Sequence, residues 1–451
     1  MGRNLIYFVI GGEGDYAKLL LYCINTIRCY QENDTYDIMV MCDESYSDTV
    51  KGFPVQHIHI TPPNPTIIHA SMRKTEIFSF SAIREYEKVL YLDCDIVVCG
   101  NLNNLMESVT RDDLLYVVPE STDLSQHTSP FFQMQDIPYD DDTLNRFSQT
   151  DIYPFNCGQF AFKVSDVMEA HFNTITDQIR TTYDPALHFY EQCFMNNHFN
   201  RLGAVSYEIK AYVSLLRADV EFDIDTQIQN TVNHFFVASV PYMTKLQRMQ
   251  QCHRARITRD QPNTCDSRDV MNQHITLGAQ PSIAEIGVFR GEFSRTLIEM
   301  YNPLIMYMID PWEGQICSGD MNGNNIYHID GEVCYKAVSD AFAAEPSARI
   351  IRKYSTDVTI PDIIPPNSLD LLYIDGDHSY KGVLTDLNLC LNLVKSRGFV
   401  CGHDYAINSD KTTHTYEFGV KQAVREFCIE NGFRVCLFMM DGCISFAIRM
   451  S

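Results

Sequence analysis

Lys88-Val-Leu-Tyr-Leu-Asp-Cys-Asp-Ile-Val-Val98 is an apolar run interrupted by two carboxylates, Asp93 and Asp95. Side chains at i and i+2 of a strand share a face, so the pair points one way. Two carboxylates on one side of a strand end can chelate a hard divalent cation through oxygen. A cation with open positions is what a nucleotide diphosphate leaving group needs. The competing reading is an acidic turn after a buried strand, with one carboxylate capping the next segment.

The flanking chain alternates strand and helix patterns in two blocks. In the first, Leu5–Ile10 leads through Gly11-Gly12-Glu13-Gly14 into a helical run at Tyr16–Cys29. Strands are expected at Asp37–Cys42, Val55–Ile60, around Leu90, at Leu114–Val118 and at Phe160–Phe162, with a helix over Arg73–Glu87. Such alternation predicts an α/β fold with a largely parallel sheet. Residues 121–150 are polar, and a stretch of that length reads as a lid or acceptor-side loop. From Thr244 to Arg268 the composition turns polar and basic, which reads as a linker or as a solvated helix.

The second block restarts with Ser282–Val288, Met306–Ile309, Ala348–Ile351, Leu369–Ile374 and Phe399–Cys401. It closes with Phe433–Met440, the turn Asp441-Gly442, and Cys443–Ile448, an antiparallel hairpin signature. The domains are therefore expected at 1–248 and 269–451, joined by a linker at 249–268.

A chain of 451 residues exceeds one ordinary core, and its 45% apolar content can bury two. The net charge of −23 argues against nucleic acid or an anionic membrane as partner. Nucleotide-sized anions stay open, because a metal ion and a few local bases can hold them. The sixteen cysteines are scattered without a Cys-x-x-Cys pair, and several (Cys42, Cys157, Cys390, Cys436) sit in apolar runs as small hydrophobes. With neither a cleavable signal pattern nor a membrane-length apolar stretch, a reducing, cytoplasmic setting is expected. Oligomeric state is not readable.

Ligands of α/β sheets sit beyond the carboxyl ends of strands. In the first block Gly11 permits close backbone approach to a nucleotide, Tyr16 offers a stacking face, and Asp43 follows the second strand. Lys74, beside Arg73, can neutralise a diphosphate. Tyr-Leu-Asp-Cys-Asp, with Arg73-Lys74-Thr-Glu-Ile-Phe78 before it and Phe155-Asn-Cys-Gly158 after it, resembles GT-A glycosyltransferases. The similarity is to family 8, the group of glycogenin and bacterial galactosyltransferases, over roughly residues 3–248. Glu191-Gln192 resembles that group's acidic-Gln pair, and Asn233-His234-Phe235 with Lys245 resembles its late His–Lys segment. The usual glycine and Pro-Trp of that segment are missing here.

The resemblance implies Mn²⁺ or Mg²⁺ on Asp93, Asp95 and His234, with Lys74 and Lys245 on the diphosphate. Asn156, Gly158, Glu191 and Gln192 would face the sugar and the reaction centre. The implied donor is a nucleotide-diphosphate sugar carrying a hexosyl or deoxyhexosyl group, and the acceptor a glycan or glycoprotein.

In the second block Glu285-Ile-Gly287-Val-Phe-Arg-Gly291-Glu-Phe-Ser294 is a strand entering a glycine turn and a helix. Asp310 ends the next strand, where an acid can hold ribose hydroxyls. A dinucleotide is the generic ligand, but Glu285 just before the glycines fits S-adenosylmethionine better. Ser355 and Asp357 would lie near the adenine, and Trp312 walls that pocket or simply packs. Tyr373-Ile-Asp-Gly-Asp-His-Ser-Tyr380 and Gly402-His-Asp-Tyr405 resemble class I methyltransferases, within the group of metal-dependent sugar O-methyltransferases.

That resemblance spans about residues 270–450 and implies a Rossmann-like domain. Asp375 and Asp404 would hold Mg²⁺, if this site takes a metal, and His378 would be the base for a sugar hydroxyl. Asp377 is the alternative ligand or a turn former, and His403 the alternative base. The expected whole is a bifunctional glycan-building enzyme, similar to those of large algal viruses and some bacteria. The alternative is a small-molecule methyltransferase whose N-terminal domain only binds.

Overall fold

The computed structural model describes residues 3–11, 16–31, 36–62, 67–129, 132, 138–182, 190–219, 230–236, 240–259, 262–313, 315–318, 326–405, 419–440 and 444–450. The chain divides into two compact units, Met1–Arg256 and Ile257–Ser451.

The first unit is built on strands β1 (Arg3–Ile10), β2 (Tyr36–Asp43), β3 (His57–Thr61), β4 (Tyr86–Leu92), β6 (Leu115–Pro119), β7 (Phe155–Lys163) and β8 (Val205–Ser206), in the order β3-β2-β1-β4-β7-β6-β8. Both faces are buried, which is why Leu5–Ile10 of β1 and Val89–Leu92 of β4 read as unbroken apolar runs. Ile6, Phe8, Leu90 and Leu92 meet the helix Tyr16–Tyr30 on one face. Tyr7, Val89, Tyr91 and Phe160 meet the helices Asp166–Thr181 and Tyr190–Leu202 on the other. That first helix buries Leu19, Leu20, Cys23, Ile24 and Ile27, one stripe at helical spacing.

Two expectations are corrected here. The sheet is largely parallel, as expected, except that β7 runs antiparallel to both β4 and β6. This direction sets the start of β7 beside the end of β4, where the Asp93 amide donates to the Gly158 carbonyl at 2.7 Å. Residues Arg73–Glu87 form no α-helix but two short 3₁₀ segments, Arg73–Ser79 and Ile83–Glu85. Lys74, Ile77, Phe80 and Ile83 are buried at intervals of three, with Thr75 buried beside Lys74. Their period of three suits the tighter helix. The polar stretch 121–150 is partly helical, with a 3₁₀ segment at Leu124–Thr128 and an α-helix at Asp141–Thr150. Its own small cluster of Tyr139, Phe147 and Ile152 holds it.

A second, smaller sheet joins β5 (Ile96–Val98), β10 (Val232–Phe236) and β9 (Val213–Arg217). Antiparallel pairing of β10 with β5 sets His234 opposite Ile96, one residue beyond Asp95. The helix Tyr242–Arg259 follows. It enters the stretch read as a linker, and its Met249 and Cys252 are buried in the first unit's core.

The second unit carries β11 (Asn263–Cys265), β12 (Ser282–Ile286), β13 (Ile305–Ile309), β16 (Ala348–Ile351), β17 (Leu369–Ile374), β18 (Val394–Gly402), β19 (Val435–Met439) and β20 (Ser445–Arg449). Their order is β11-β19-β20-β18-β17-β12-β13-β16, parallel from β18 through β16. The closing hairpin is present, with Phe438 opposite Phe446, while its turn Asp441-Gly442 lies outside the described residues. Two elements escaped the sequence pattern: β11, parallel to β19, and the antiparallel pair β14 (Gln315–Ser318) and β15 (Ile326–Ile329).

Replacing Phe147 by Ala should cost the 124–152 segment about 3 kcal/mol, the usual loss for a buried aromatic. Hydrogen exchange should show faster exchange confined to that segment. Exchange spreading through β1 and β4 would contradict its independence.

Candidate active sites

The first site forms where β4 ends, β7 begins and β10 crosses. Asp93, Asp95 and His234 each offer a ligand atom, and these atoms lie within 4.8 Å of one another. His234 Nε2 stands 3.2 Å from Asp95 Oδ1 and 3.9 Å from Asp93 Oδ2. Lys245 Nζ contacts Asp95 Oδ2 at 2.5 Å, and Lys74 Nζ contacts Asp93 Oδ1 at 3.0 Å. Lys74 also reaches Glu191 Oε1 at 3.0 Å, and Ser71 donates to the other Glu191 oxygen at 2.8 Å.

Burial alone would raise the Asp95 and Glu191 carboxyls. The adjacent Lys245 and His234 for Asp95, and Lys74 for Glu191, overcome it and hold both carboxyls below their ordinary values. Lys74 is raised in turn: burial opposes its charge, and Asp93 and Glu191 outweigh burial. Burial first, and then Asp93, push the Tyr91 phenol upward, so it stays a donor to Asp93 Oδ1 at 2.5 Å.

Gly158 supplies the test of fit for a cation. A Cβ there would lie 2.2 Å from His234 Cε1, 2.8 Å from Asp93 Oδ2 and 2.9 Å from Asn156 Oδ1. Only glycine keeps that space among the oxygens and the imidazole open. With two carboxylates and one imidazole around it, the cradle fits a divalent ion of the Mg²⁺ or Mn²⁺ type.

The flanking polar groups are braced. Asn156 Nδ2 donates to Glu120 Oε2 at 2.9 Å, and its Oδ1 accepts from the Gly158 amide at 2.8 Å. Gln192 Oε1 accepts from the Cys157 amide at 3.2 Å. Tyr16 is near enough to Lys245 and Asp95 to feel both charges, though burial is the main reason its phenol is raised. Gly11 directly follows β1, and residues 12–14 of the glycine stretch lie outside the described residues. Asp43 caps the next helix, accepting from the Ser45 amide at 3.0 Å.

The second site gathers at the ends of β12, β17 and β18. Asp375, His378 and Asp404 again offer ligand atoms within 4.8 Å of one another. His378 Nε2 lies 3.3 Å from Asp375 Oδ1, and its Nδ1 3.3 Å from Asp404 Oδ2. Burial would lower this imidazole, but the two carboxylates raise it. His403 Nδ1 stands 3.4 Å from Asp404 Oδ2. Asp404 adopts φ 53°, a costly backbone for a non-glycine residue. Two carboxylates and an imidazole make a donor set that suits Mg²⁺ or Mn²⁺ here too.

Gly287, at φ +88°, packs so closely that a Cβ would lie 2.1 Å from the Asp375 carbonyl oxygen. Gly291, at φ +80°, starts the helix Glu292–Tyr301. Ser294 donates to Glu285, a carboxyl that burial pushes up to about 8. Asp310 accepts from the Phe289 amide at 2.9 Å and the Trp312 amide at 2.6 Å, bracing the glycine loop. Trp312 is buried, and its indole donates to the Phe289 carbonyl at 2.8 Å. Ser355 donates to Asp386 Oδ1 at 2.5 Å, while Asp357 pairs with Lys353 at 3.0 Å. Asp377 accepts from the Ser379 amide at 2.9 Å and so forms the turn before the helix Tyr380–Leu393.

Two family models match the chain: glycosyl transferase family 8 over residues 9–205 and a methyltransferase domain over residues 284–405. The chain joins a family 8 glycosyltransferase domain to a methyltransferase domain. A stretch of 57 residues is 42% identical to the uncharacterized protein R132 of Acanthamoeba polyphaga mimivirus, covering 12% of this chain and 26% of that protein. The bifunctional glycosyltransferase WbbM aligns at 16% identity and a TM-score of 0.38, over 55% of this chain and 49% of WbbM. The galactosyltransferase LgtC, solved with donor and acceptor sugar analogs, aligns at 14% identity and a TM-score of 0.36, over 55% of this chain and 94% of LgtC. The chain thus matches about a quarter of the curated relative and half of WbbM.

Sequence reading missed several site residues. In the glycosyltransferase domain these are Tyr91, Ser71 and Glu120, each holding a residue that was expected. In the methyltransferase domain Arg268 was missed: its guanidinium lies 3.1 Å from Asp375 Oδ2. Tyr91 was legible in principle, two residues before Asp93 on the same strand face. No local signal marked Arg268, which stood in the expected linker.

Two measurements test these environments. Gly158→Ala should weaken Mn²⁺ binding to the glycosyltransferase domain by at least about tenfold, since the methyl group occupies the cradle; calorimetry reads it. For Glu285 the folded value lies above the unfolded 4.5, so native stability falls as pH rises from about 4.5 towards about 8. Glu285→Gln should remove that slope from the domain's unfolding transition, and parallel pH profiles for the two proteins would refute it.

Proposed function

We propose that the chain is a bifunctional enzyme of glycan synthesis, transferring a sugar from a nucleotide-diphosphate donor and methylating a sugar hydroxyl with S-adenosylmethionine. The reading is carried by one observation: each unit has its own Asp–Asp–His cluster, with Asp93 and Asp95 inside the matched segment 9–205 and His234 beyond it, and with Asp375, His378 and Asp404 all inside 284–405. The catalytic domains are proposed at 1–248 and 269–451. A donor hexosyl or deoxyhexosyl group and a glycan or glycoprotein acceptor belong to the proposal. So does a reducing, cytoplasmic setting, supported by fourteen described cysteines that are free thiols. A viral source has the short mimivirus match in its favour.

In the first domain Asp93, Asp95 and His234 would hold Mn²⁺ or Mg²⁺. Bound there, the ion supplies positive charge to the departing diphosphate. Lys74 and Lys245 neutralise the carboxylates and face the same diphosphate, while Gly11, Tyr16 and Asp43 border the nucleotide. Asn156, Glu191 and Gln192, fixed by Glu120, Ser71 and the Cys157 amide, orient the sugar and its acceptor.

In the second domain Glu285, Gly287, Gly291, Ser294, Asp310, Ser355 and Asp357 form the S-adenosylmethionine region. Asp375 and Asp404 would hold a divalent ion, which would supply positive charge that lowers the pKa of a sugar hydroxyl. His378 takes the hydroxyl proton as the hydroxyl oxygen attacks the methyl carbon and the sulfur–methyl bond breaks to release S-adenosylhomocysteine, and the flanking carboxylates stabilise the imidazolium.

The test is mass spectrometry of products from a panel of nucleotide sugars with isotope-labelled S-adenosylmethionine and Mn²⁺. Asp93→Ala should reduce sugar transfer by about 10²-fold or more and spare methylation of a preformed glycan. His378→Ala should do the reverse, by about 10²-fold. Absence of any transferred sugar or methyl across the panel would sink the proposal. Loss of both activities in either variant would refute the separation of roles.

A further inference from the structure

We propose that Arg268 is a resident cation of the methyl-transfer site that keeps divalent binding by Asp375 and Asp404 weak. The inference rests on the methyltransferase reading of the second unit and adds a residue outside the matched segment 284–405.

Arg268 approaches from the 3₁₀ segment Arg268–Gln273, ahead of β12. Its Nη1 lies 3.1 Å from Asp375 Oδ2 and 3.2 Å from the Tyr373 hydroxyl. The guanidinium carbon sits 4.4 Å from the centre of the Phe293 ring. Phe293 belongs to the helix that starts after Gly291, so the glycine loop, β17 and the incoming chain meet at this one side chain. A planar guanidinium can stack on a ring while its edge donates two hydrogen bonds, which an ammonium cannot do as well.

This contact divides the Asp375 carboxylate. Oδ2 is held by Arg268, and Oδ1 faces His378 at 3.3 Å. A cation at the cluster therefore has one Asp375 oxygen free of Arg268 and is repelled by a fixed positive charge within a few ångströms. At such range one unit charge is worth kilocalories in a partly buried site. The first unit uses different cations: Lys74 and Lys245 are buried ammoniums, Lys74 between Asp93 and Glu191 and Lys245 on Asp95. Arg268 is pinned by stacking and cannot withdraw without losing Phe293.

The experiment titrates Mn²⁺ into the full chain by electron paramagnetic resonance, in an Asp93→Asn background that weakens the other site. Arg268→Gln and Arg268→Met should bind Mn²⁺ roughly tenfold tighter than the parent. Arg268→Lys keeps the charge and should stay within about threefold of it. Neutral variants that fold but bind Mn²⁺ no tighter than the parent overturn the proposal. Should the neutral variants not fold, Arg268→Lys decides: anchoring alone would lower its Mn²⁺ affinity well beyond threefold. S-adenosylmethionine binding to the parent, by calorimetry, tests the underlying reading separately, and its absence would condemn that reading whatever the Mn²⁺ result.

Discussion

Concentrated negative charge at the end of β4 is the constraint on which the first unit is organised. Asp93, Asp95 and Glu191 are drawn into a largely buried space, where uncompensated carboxylates would be costly. Lys74 and Lys245 meet that cost from two remote parts of the chain, a 3₁₀ segment and a late helix. The antiparallel return of β7, the crossing of β10 and the start of Tyr242–Arg259 are the ways the fold delivers those partners. Each would be poorly placed in a purely parallel sheet.

The second unit meets a similar demand with fewer means. Its carboxylates share two imidazoles and one guanidinium, and part of the tension lies in the backbone, as φ 53° at Asp404 shows. Glu285 lies deeper, accepting from the Ser294 hydroxyl with more distant charges around it, and burial there pushes its carboxyl up to about 8. The two sites thus use unlike devices for one problem: paired lysines in one, stacking and strain in the other.

Much of this was legible in the chain. Strand runs such as Leu5–Ile10 and Leu371–Ile374 are unbroken because both faces are buried, and they were readable for that reason. The acidic residues at strand ends were readable because motif spacing is local. What escaped depends on distant partners. A period of three in Lys74, Ile77, Phe80 and Ile83 is easily taken for helical spacing over a short window. The direction of β7 follows from pairing across more than sixty residues with β4, which no local pattern encodes. Arg268 looked like one more surface base until Phe293 and Asp375 were seen around it.

The helix Tyr242–Arg259 also bears on how this protein can be dissected. Its first turn presents Lys245 to Asp95, and further along Met249 and Cys252 fill the first unit's core. A cut at 248, the boundary expected from the sequence, would sever the helix just after the lysine and strip away the residues that anchor it. Asp95 would then keep a partner on a frayed end. The natural place to part the chain lies past Arg259, beyond the end of that helix.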